Sequence, residues 1–252
     1  MNISETLSLA LNLQPQAEPP ITPIVPPLSH LIERYEFPPQ SLLFGVAEDS
    51  QPMLLNLKTL RQGAVLIVGD AGSGKTSFLR FLAQSAVWMY EPNEISFTVI
   101  TPGPEGWQGW ESLPHNLGIL PAYDPAIKNT LQELRTWAQE NKSAQQRLVL
   151  IDNLDALAHL DEEGLENLHW LLYNGAMHGL WMIVTMNTAS AIEMTGWLPL
   201  FRVRLYGMIT NPRHAEMLTY LPAVHLSALA RGTQFAMRSK GSWLRFWLPN
   251  AE

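Results

Sequence analysis

An octapeptide near residue 70 carries the residue types that bind a phosphate chain. Positions 69–76 read Gly-Asp-Ala-Gly-Ser-Gly-Lys-Thr and match the pattern G-x-x-x-x-G-K-[ST]. In such a loop the glycines allow successive backbone N–H groups to point at phosphate oxygens, and the positive end of the following helix adds to the attraction. A Gly-rich turn that only packs would not need the Lys-Thr pair after its last glycine. The octapeptide therefore predicts the binding of a nucleoside triphosphate.

Individual residues of the phosphate loop are expected to have different roles in nucleotide binding. The Lys75 ammonium would reach the β- and γ-phosphates and stabilise their charge, and the Thr76 hydroxyl would ligate Mg²⁺. The expected nucleotide-binding residues are Gly69, Asp70, Ala71, Gly72, Ser73, Gly74, Lys75, Thr76 and Ser77.

An acidic residue after a second apolar run predicts the other half of a magnesium site. Residues 147–151 read Arg-Leu-Val-Leu-Ile and are followed by Asp152, which is the form of a Walker B strand. At the carboxyl end of a buried strand, Asp152 would hold Mg²⁺ opposite Thr76. Taken alone, such an aspartate would more often cap a turn. The phosphate loop upstream favours the metal ligand.

The residue that follows this acid is Asn153. Between the two motifs there is room for one extra strand, 95–100, and one extra helix, 125–140, a spacing that fits P-loop ATPases of the additional-strand class. Those enzymes usually carry glutamate directly after the Walker B aspartate, and the glutamate activates the attacking water. A carboxamide can orient water but cannot accept its proton, so a general-base contribution of about 10²–10⁴-fold is expected to be missing. Asp155 and Glu162 are the nearby acids that could substitute, or they are simply capping and solvated residues.

Three further polar residues are candidates for catalysis. Asn187 follows the apolar run 181–186, where additional-strand ATPases often place a sensor of the γ-phosphate, although a turn asparagine explains it equally well. Alternation in 201–205 predicts the three apolar residues on one face and both arginines on the other. Arg202 and Arg204 would then either supply an arginine finger to a neighbouring subunit or form a solvated strand face.

The pattern around these residues predicts the elements that must position them. An apolar run at 64–68 precedes the phosphate loop and a helical pattern follows it, which is the order expected of the motif. Other strands are predicted at 42–47, 53–57, 95–100, 148–151, 181–186 and 201–205, and helices at 125–140, 162–176 and 213–220. Residues 234–247 read as an antiparallel hairpin. Together, these elements predict an α/β, RecA-like P-loop fold with a mainly parallel sheet flanked by helices and closed by a C-terminal antiparallel hairpin.

Two segments stand outside this alternation. Residues 1–40 are rich in proline and predict an extended N-terminal arm or linker, with the ATPase domain at 41–252. This segment is either a spacer or an arm that lies across its own domain or a neighbouring subunit. The loop 101–110 holds Trp107 and Trp110 among glycines and prolines. These tryptophans either fold back over the sheet edge or, if exposed, form a partner surface or lid.

Composition limits the classes of partner. The net charge of −7 argues against a dedicated nucleic-acid binder, so nucleic acid is not the favoured partner. Cysteine is absent, which fits a reducing cytoplasm. No apolar run approaches about 20 residues, so no membrane span is expected and a cytoplasmic location is predicted.

Beyond these motifs, the chain resembles the FtsK/SpoIIIE-like branch of P-loop ATPases, especially the degenerate ATPase modules of EccC in type VII secretion. The resemblance spans about residues 41–249. It is carried by segments 43–50 (Leu-Phe-Gly-Val-Ala-Glu-Asp-Ser), 52–57 (Pro-Met-Leu-Leu-Asn-Leu), 68–76, 152–155 (Asp-Asn-Leu-Asp) and 231–236 (Arg-Gly-Thr-Gln-Phe-Ala).

The resemblance implies a RecA-like core, ATP and Mg²⁺, assembly into a ring or chain, and action on DNA or on a secreted protein. With Asn153 in place of glutamate, the expected function is an ATP-binding module with weak or assembly-dependent hydrolysis that couples nucleotide state to a partner or translocated substrate. Three alternatives remain open at this point: a non-catalytic nucleotide-binding subunit of a larger complex, a DNA-translocating motor, and a signalling NTPase.

Overall fold

The computed structural model describes residues 25–57, 63–222, 225–239 and 241–250, which form a ten-stranded sheet with helices on both faces. The strands are β1 (Ser41–Ala47), β2 (Pro52–Asn56), β3 (Ala64–Gly69), β4 (Ile95–Thr101), β5 (Asn116–Pro121), β6 (Gln146–Ile151), β7 (Leu180–Asn187), β8 (Phe201–Tyr206), β9 (Gln234–Ser239) and β10 (Ser242–Trp247). The α-helices are α1 (Leu28–Arg34), α2 (Lys75–Met89), α3 (Ile127–Glu140), α4 (Glu162–Asn174), α5 (Thr188–Glu193) and α6 (Pro212–Thr219).

The sheet has a parallel part and an antiparallel edge. Its strand order is β2-β1-β10-β9-β8-β3-β7-β6-β4-β5. The run from β8 to β5 is parallel, and the pairs that involve β1, β2, β9 and β10 are antiparallel. The predicted fold class is therefore confirmed, including the hairpin of β9 and β10. The predicted turn at 239–242 includes Lys240, which lies outside the described residues.

Strand β7 lies between the strands that carry the two nucleotide-binding motifs. It pairs in parallel with β3 on one side and with β6 on the other. In this register Gly69 is the partner of Asn187, and Ile151 is the partner of Val184. Since the carboxyl ends of parallel strands share one edge of the sheet, the phosphate loop, Asn187 and Asp152 come together there.

The continuous apolar run of β3 is explained by burial on both faces. Ala64, Leu66 and Val68 pack in the core on the side of α3, α4 and α6, while Val65 and Ile67 pack in the core on the side of α1 and α2. An interior parallel strand has no solvated face, so its sequence does not alternate.

The prediction of extended chain is wrong for residues 28–34, which form α1. Leu28 and Leu31 of this helix are almost fully buried in the same core as α2. A single apolar pair at i and i+3 is a weak helical signal among prolines, and packing against the domain supplies the stability that the short helix lacks on its own. Part of the predicted arm thus lies against its own domain. Residues 1–24 lie outside the described ranges.

The loop 101–110 folds back onto the sheet. Trp107 is fully buried in the core, and its ring contacts that of Trp110, with centroids 5.4 Å apart. Trp110 also packs edge-on against Phe97 of β4. The first of the two interpretations of this loop is confirmed, and the exposed partner surface or lid is wrong for Trp107.

Candidate functional site

A cleft of about 440 Å³ opens at the carboxyl edge of the parallel strands. It is lined by Ala71, Gly72, Gly74, Lys75, Thr76, Ser77, Asp152, Asn153, Asn187 and Gly232. The lining thus combines the phosphate loop, the end of β6 and the end of β7. The structure brings six of the nine predicted nucleotide-binding residues into one cavity with both candidate asparagines, while Gly69, Asp70 and Ser73 are not among the lining residues.

The phosphate loop adopts a backbone that glycine permits. Gly72 and Gly74 have φ values of 74° and 94°, in the left-handed region that side chains disfavour. A Cβ on Gly74 would lie only 2.4 Å from the carbonyl oxygen of Gly232. Helix α2 begins at Lys75 without a side-chain N-cap, so its first N–H groups face the cleft as donors for an anion.

Lys75 lies under the loop with its ammonium held by backbone oxygens. Its side chain is mostly buried, and Nζ donates hydrogen bonds to the carbonyl oxygens of Gly69 and Asp70, each at 2.9 Å. Burial lowers the pKa of Lys75, and the carboxylates of Asp152, Asp70 and Asp155 oppose that shift because they favour the charged ammonium. The positively charged Lys75 ammonium thus lies where phosphate oxygens are expected to bind.

Asp152 is fixed by two hydroxyl groups from different elements. Thr76 of α2 donates a hydrogen bond to Oδ2 at 2.5 Å, and Thr185 of β7 donates to Oδ1 at 2.6 Å. Thr185 is fully buried and was not identified from the sequence. It sits inside an apolar run, where only the pairing of β7 beside β6 shows that its hydroxyl meets the acid.

The side-chain oxygen atoms of Thr76 and Asp152 are suitable ligands for a magnesium ion. A hydroxyl and a carboxylate oxygen are the hard ligands that Mg²⁺ prefers, and the ion usually completes its shell with substrate phosphates and water. Within the described residues, no group of three His, Cys, Asp or Glu side chains is placed to hold a metal. Thr76 and Asp152 therefore fit a magnesium that arrives with a nucleotide better than an all-protein metal cage.

The proposed substitutes for the missing glutamate do not line the cleft. Asp155 Oδ2 accepts a hydrogen bond from Ser190 at 3.2 Å. Glu162 is exposed in the first turn of α4. Neither residue is among those that line the cleft, so Asp152 is the acid that faces it among the described residues.

Both candidate arginines of β8 also lie away from this cleft. Arg202 is exposed, while Arg204 donates to the carbonyl oxygen of Leu198 at 2.8 Å. A register shift between β3 and β8 places an extra residue after Phe201, and such a bulge reverses the facing of the side chains that follow. Phe201 therefore packs in one core and Leu205 in the other, so the predicted alternation of this strand is wrong at Phe201.

The remaining loop residues support the cleft from outside. Ser73 is fully buried, and its hydroxyl lies beside Gly69 and Gly207. Asp70 does not line the cleft, and its carboxylate accepts hydrogen bonds from Thr188 and Thr210. Arg231, which the sequence motif did not single out, donates to the carbonyl oxygens of Gly72 and Ala71, both at 3.2 Å. Its guanidinium thus stabilises the phosphate loop through two hydrogen bonds.

The strand order and this cleft define a P-loop ATPase domain in which one strand separates the two motif strands. The FtsK/SpoIIIE family matches residues 33–202, which is more than half of the chain's 252 residues. The chain therefore belongs to the FtsK/SpoIIIE family.

A relative from type VII secretion supports this assignment. The ESX-5 secretion system protein EccC5 of Mycobacterium marinum is 25% identical in an alignment of 159 residues that covers 51% of this chain and 12% of that protein. The chain thus corresponds to a small part of that relative.

Solved structures share the fold. EssC (ATPases 2 and 3) from Geobacillus thermodenitrificans aligns with a TM-score of 0.72 and 15% identity over 92% of this chain and 46% of that one. EccC (ATPases 2 and 3) of Thermomonospora curvata, in complex with a signal sequence peptide, gives 0.69 and 15% over 91% and 44%. The pCW3 conjugation coupling protein TcpA with ATPγS gives 0.66 and 15% over 90% and 70%. Within the described residues, no helix is long and apolar enough to cross a membrane.

Proposed function

We propose that this chain is an ATP- and Mg²⁺-binding module that hydrolyses ATP slowly, or only when assembled, and passes its nucleotide state to a partner. The observation that carries this proposal is the contrast within one cleft. Lys75, Thr76 and Asp152 are fixed in position by hydrogen bonds, whereas the residue next to Asp152 is a carboxamide rather than a base.

Binding is supported by the preformed phosphate cradle. The left-handed glycines and the uncapped start of α2 present backbone donors, and Lys75 adds a cation beneath them. Thr76 and Asp152 would hold Mg²⁺, which when bound neutralises part of the phosphate charge. Since these groups are already in place, little ordering of the loop is required on binding.

Slow turnover is supported by the chemistry of the asparagines. Asn153 and Asn187 both line the cleft, and in this proposal their carboxamides orient water near the terminal phosphate. Neither can remove a proton from that water at neutral pH. The proposed site therefore keeps the groups that position water and stabilise the phosphate charge, but it lacks a general base.

The proposed partner is a protein rather than nucleic acid. The net charge of −7 gives little attraction for a polyanion, and the EccC structure with the same fold is a complex with a signal sequence peptide. We place the chain in a homo-oligomer or a larger ATPase assembly in the cytoplasm. Arg202, exposed on β8, is the residue through which such an assembly could add an arginine to a neighbouring site, with Arg204 beside it.

The test measures ATP affinity by titration calorimetry and phosphate release over a range of protein concentrations. The wild type should bind ATP with Mg²⁺, and Lys75→Ala should bind at least about tenfold more weakly. Lys142→Ala, which removes an exposed lysine outside the cleft, should match the wild type. Wild-type turnover of about 1 s⁻¹ or more for the isolated chain would contradict the slow site. Binding with no phosphate release at any concentration would select a non-catalytic module, and turnover that rises steeply with added DNA would select a motor.

A further inference from the structure

The first variable residue of the phosphate loop is tied to two distant segments. Oδ1 of Asp70 accepts a hydrogen bond from the Thr188 hydroxyl at 2.7 Å. Oδ2 accepts from the backbone N–H of Thr210 at 2.8 Å and from its hydroxyl at 2.7 Å. The Asp70 N–H in turn donates to the carbonyl oxygen of Met208 at 2.9 Å. One residue thus joins the loop to the start of α5 and to the chain after β8.

This carboxylate is in the ionised, acceptor-only form that the three donors require. Burial opposes its ionisation, but the hydrogen bonds from Thr210 and Thr188 outweigh it and, with Lys75, hold the pKa of Asp70 below its usual range. Asp70 is not among the residues that line the cleft. An anion would be repelled by the phosphates, so its role is not direct contact with nucleotide.

The backbone of Asp70 also contacts Lys75. The carbonyl oxygen of Asp70 accepts one of the two hydrogen bonds that hold the Lys75 ammonium. On nucleotide binding, the Lys75 ammonium would exchange this hydrogen bond for one to a phosphate oxygen, and the peptide at 70 would then be free to shift. The carboxylate on the same residue would carry this shift to Thr188 and Thr210.

The two threonines lie at positions that connect the cleft to the surface. Thr188 follows Asn187, which lines the cleft, and is the first residue of α5. Thr210 lies just before Asn211, the N-cap of α6. Helices α5 and α6 contact each other, and α6 presents Met217 and its C-cap Tyr220 to solvent. Both routes from Asp70 therefore lead to one helical pair at the surface.

We propose that Asp70 is a positioning residue that couples the occupancy of the phosphate loop to the segments 188–193 and 208–219. This inference rests on the proposed nucleotide binding and adds the path by which the bound state leaves the cleft. The coupling is carried by three hydrogen bonds that one carboxylate accepts, so removal of the carboxylate breaks the side-chain link from the loop to both segments at once.

The test is hydrogen exchange of the full chain with and without ATPγS and Mg²⁺. In the wild type, saturating nucleotide should slow exchange about tenfold or more in three segments: the phosphate loop 69–77, 188–193 and 208–219. In Asp70→Ala at saturating nucleotide, the phosphate loop should still gain protection, and the other two segments should not. Asp49→Asn, an exposed acid outside the cleft, should behave as the wild type.

A second set of variants covers the case in which Asp70→Ala folds poorly. Thr188→Val with Thr210→Val leaves Asp70 in place and removes both hydroxyl donors, so it should lose most of the distant protection. Thr188→Ser with Thr210→Ser should restore it, because serine keeps the donor. Thr136→Val on the exposed face of α3 is the matched control.

The outcomes separate the two proposals. If calorimetry detects no nucleotide binding to the wild type, the proposed function fails. If nucleotide binds and the distant segments respond equally in wild type and in the Asp70 and threonine variants, the coupling role of Asp70 is overturned while nucleotide binding stands.

Discussion

The Thr76 hydroxyl and the Asp152 carboxylate are joined by a 2.5 Å hydrogen bond across 76 positions of the chain. The other oxygen of the same carboxylate accepts from Thr185, so the acid is held from α2 and from β7 together. A carboxylate fixed from two sides has one orientation before any ligand arrives. In the proposed magnesium site, the pair would therefore bind the metal ion at little cost in side-chain entropy.

We expect Asp152→Asn to remove the dependence of ATP affinity on Mg²⁺. The variant keeps the shape of the side chain and its contact with both threonines but loses the negative charge that a cation requires. In the wild type, Mg²⁺ should strengthen binding about tenfold or more over the value in EDTA, and Asp152→Asn should show the EDTA value in both conditions. Calorimetry with and without the metal measures both.

Thr185→Val is the control for this prediction. It removes only the outer hydroxyl from Asp152, so a smaller, few-fold loss of the magnesium effect is expected. An Asp152→Asn protein with undiminished magnesium dependence would show that the metal is held elsewhere.

A base restored beside Asp152 should raise turnover. Asn153→Glu places a carboxylate at the mouth of the same cleft, and a positioned base is worth about 10²–10⁴-fold. Because the surrounding residues are not arranged around a longer acid, we expect the lower part of that range in kcat, with KM changed little. Asn153→Gln has the same length without the base and should not gain. Equal rates for the two variants would mean that proton removal does not limit hydrolysis.

The sequence predicted those parts of the fold that rest on local pattern. The run before Gly69 and the helix after Thr76 were found because the motif and the apolar residues agree. Strand β5 was missed because Gly118 and the closing Pro121 read as turn signals. The pairing with β4 at the sheet edge decides that segment, and this pairing is not visible locally.

The site was predictable where its residues belong to the phosphate-loop motif or directly follow a strand. Asp152, Asn153 and Asn187 were found because each stands at the end of an apolar run. Thr185 and Arg231 were not, because their contacts with Asp152 and the phosphate loop come from strand order and from the return of the chain 160 positions later.

Two glycine variants distinguish the effect of steric crowding at the phosphate loop from the effect of its left-handed backbone conformation. Gly74 and Gly109 have similar φ values, 94° and 89°. A Cβ at Gly74 would meet the Gly232 carbonyl at 2.4 Å, whereas a Cβ at Gly109 would meet nothing within 4 Å. Gly109→Ala should therefore cost only the backbone term of about 1–2 kcal/mol in the free energy of unfolding and leave ATP affinity unchanged.

Gly74→Ala carries the same backbone cost and also pushes the loop away from residue 232. We expect a larger loss of stability by urea denaturation and ATP binding too weak to detect by calorimetry. If the two variants are equally destabilised and both bind ATP, the close approach of the loop to Gly232 is not required.

The pH dependence of stability should report the ionised state of Asp70. Its pKa in the folded protein is below the usual 3.8, so the carboxylate stabilises the folded state above about pH 4 and loses that contribution as the pH falls from there toward the lowered pKa. Asp70→Asn removes this titration. At about pH 7 the variant should be less stable by about 1 kcal/mol, a modest value because the carboxylate is partly exposed and screened by solvent.

The difference between wild type and Asp70→Asn should shrink as the pH is lowered through about 4, because protonation makes the wild-type side chain neutral as well. Urea denaturation at a series of pH values measures it. In a Thr188→Val, Thr210→Val background the same substitution should give a smaller difference with less pH dependence, since the two hydroxyl donors are gone and only the backbone N–H of Thr210 still lowers the pKa of Asp70. A difference that stays constant from neutral to acid pH in the wild-type background would show that the three hydrogen bonds do not depend on the charge of Asp70.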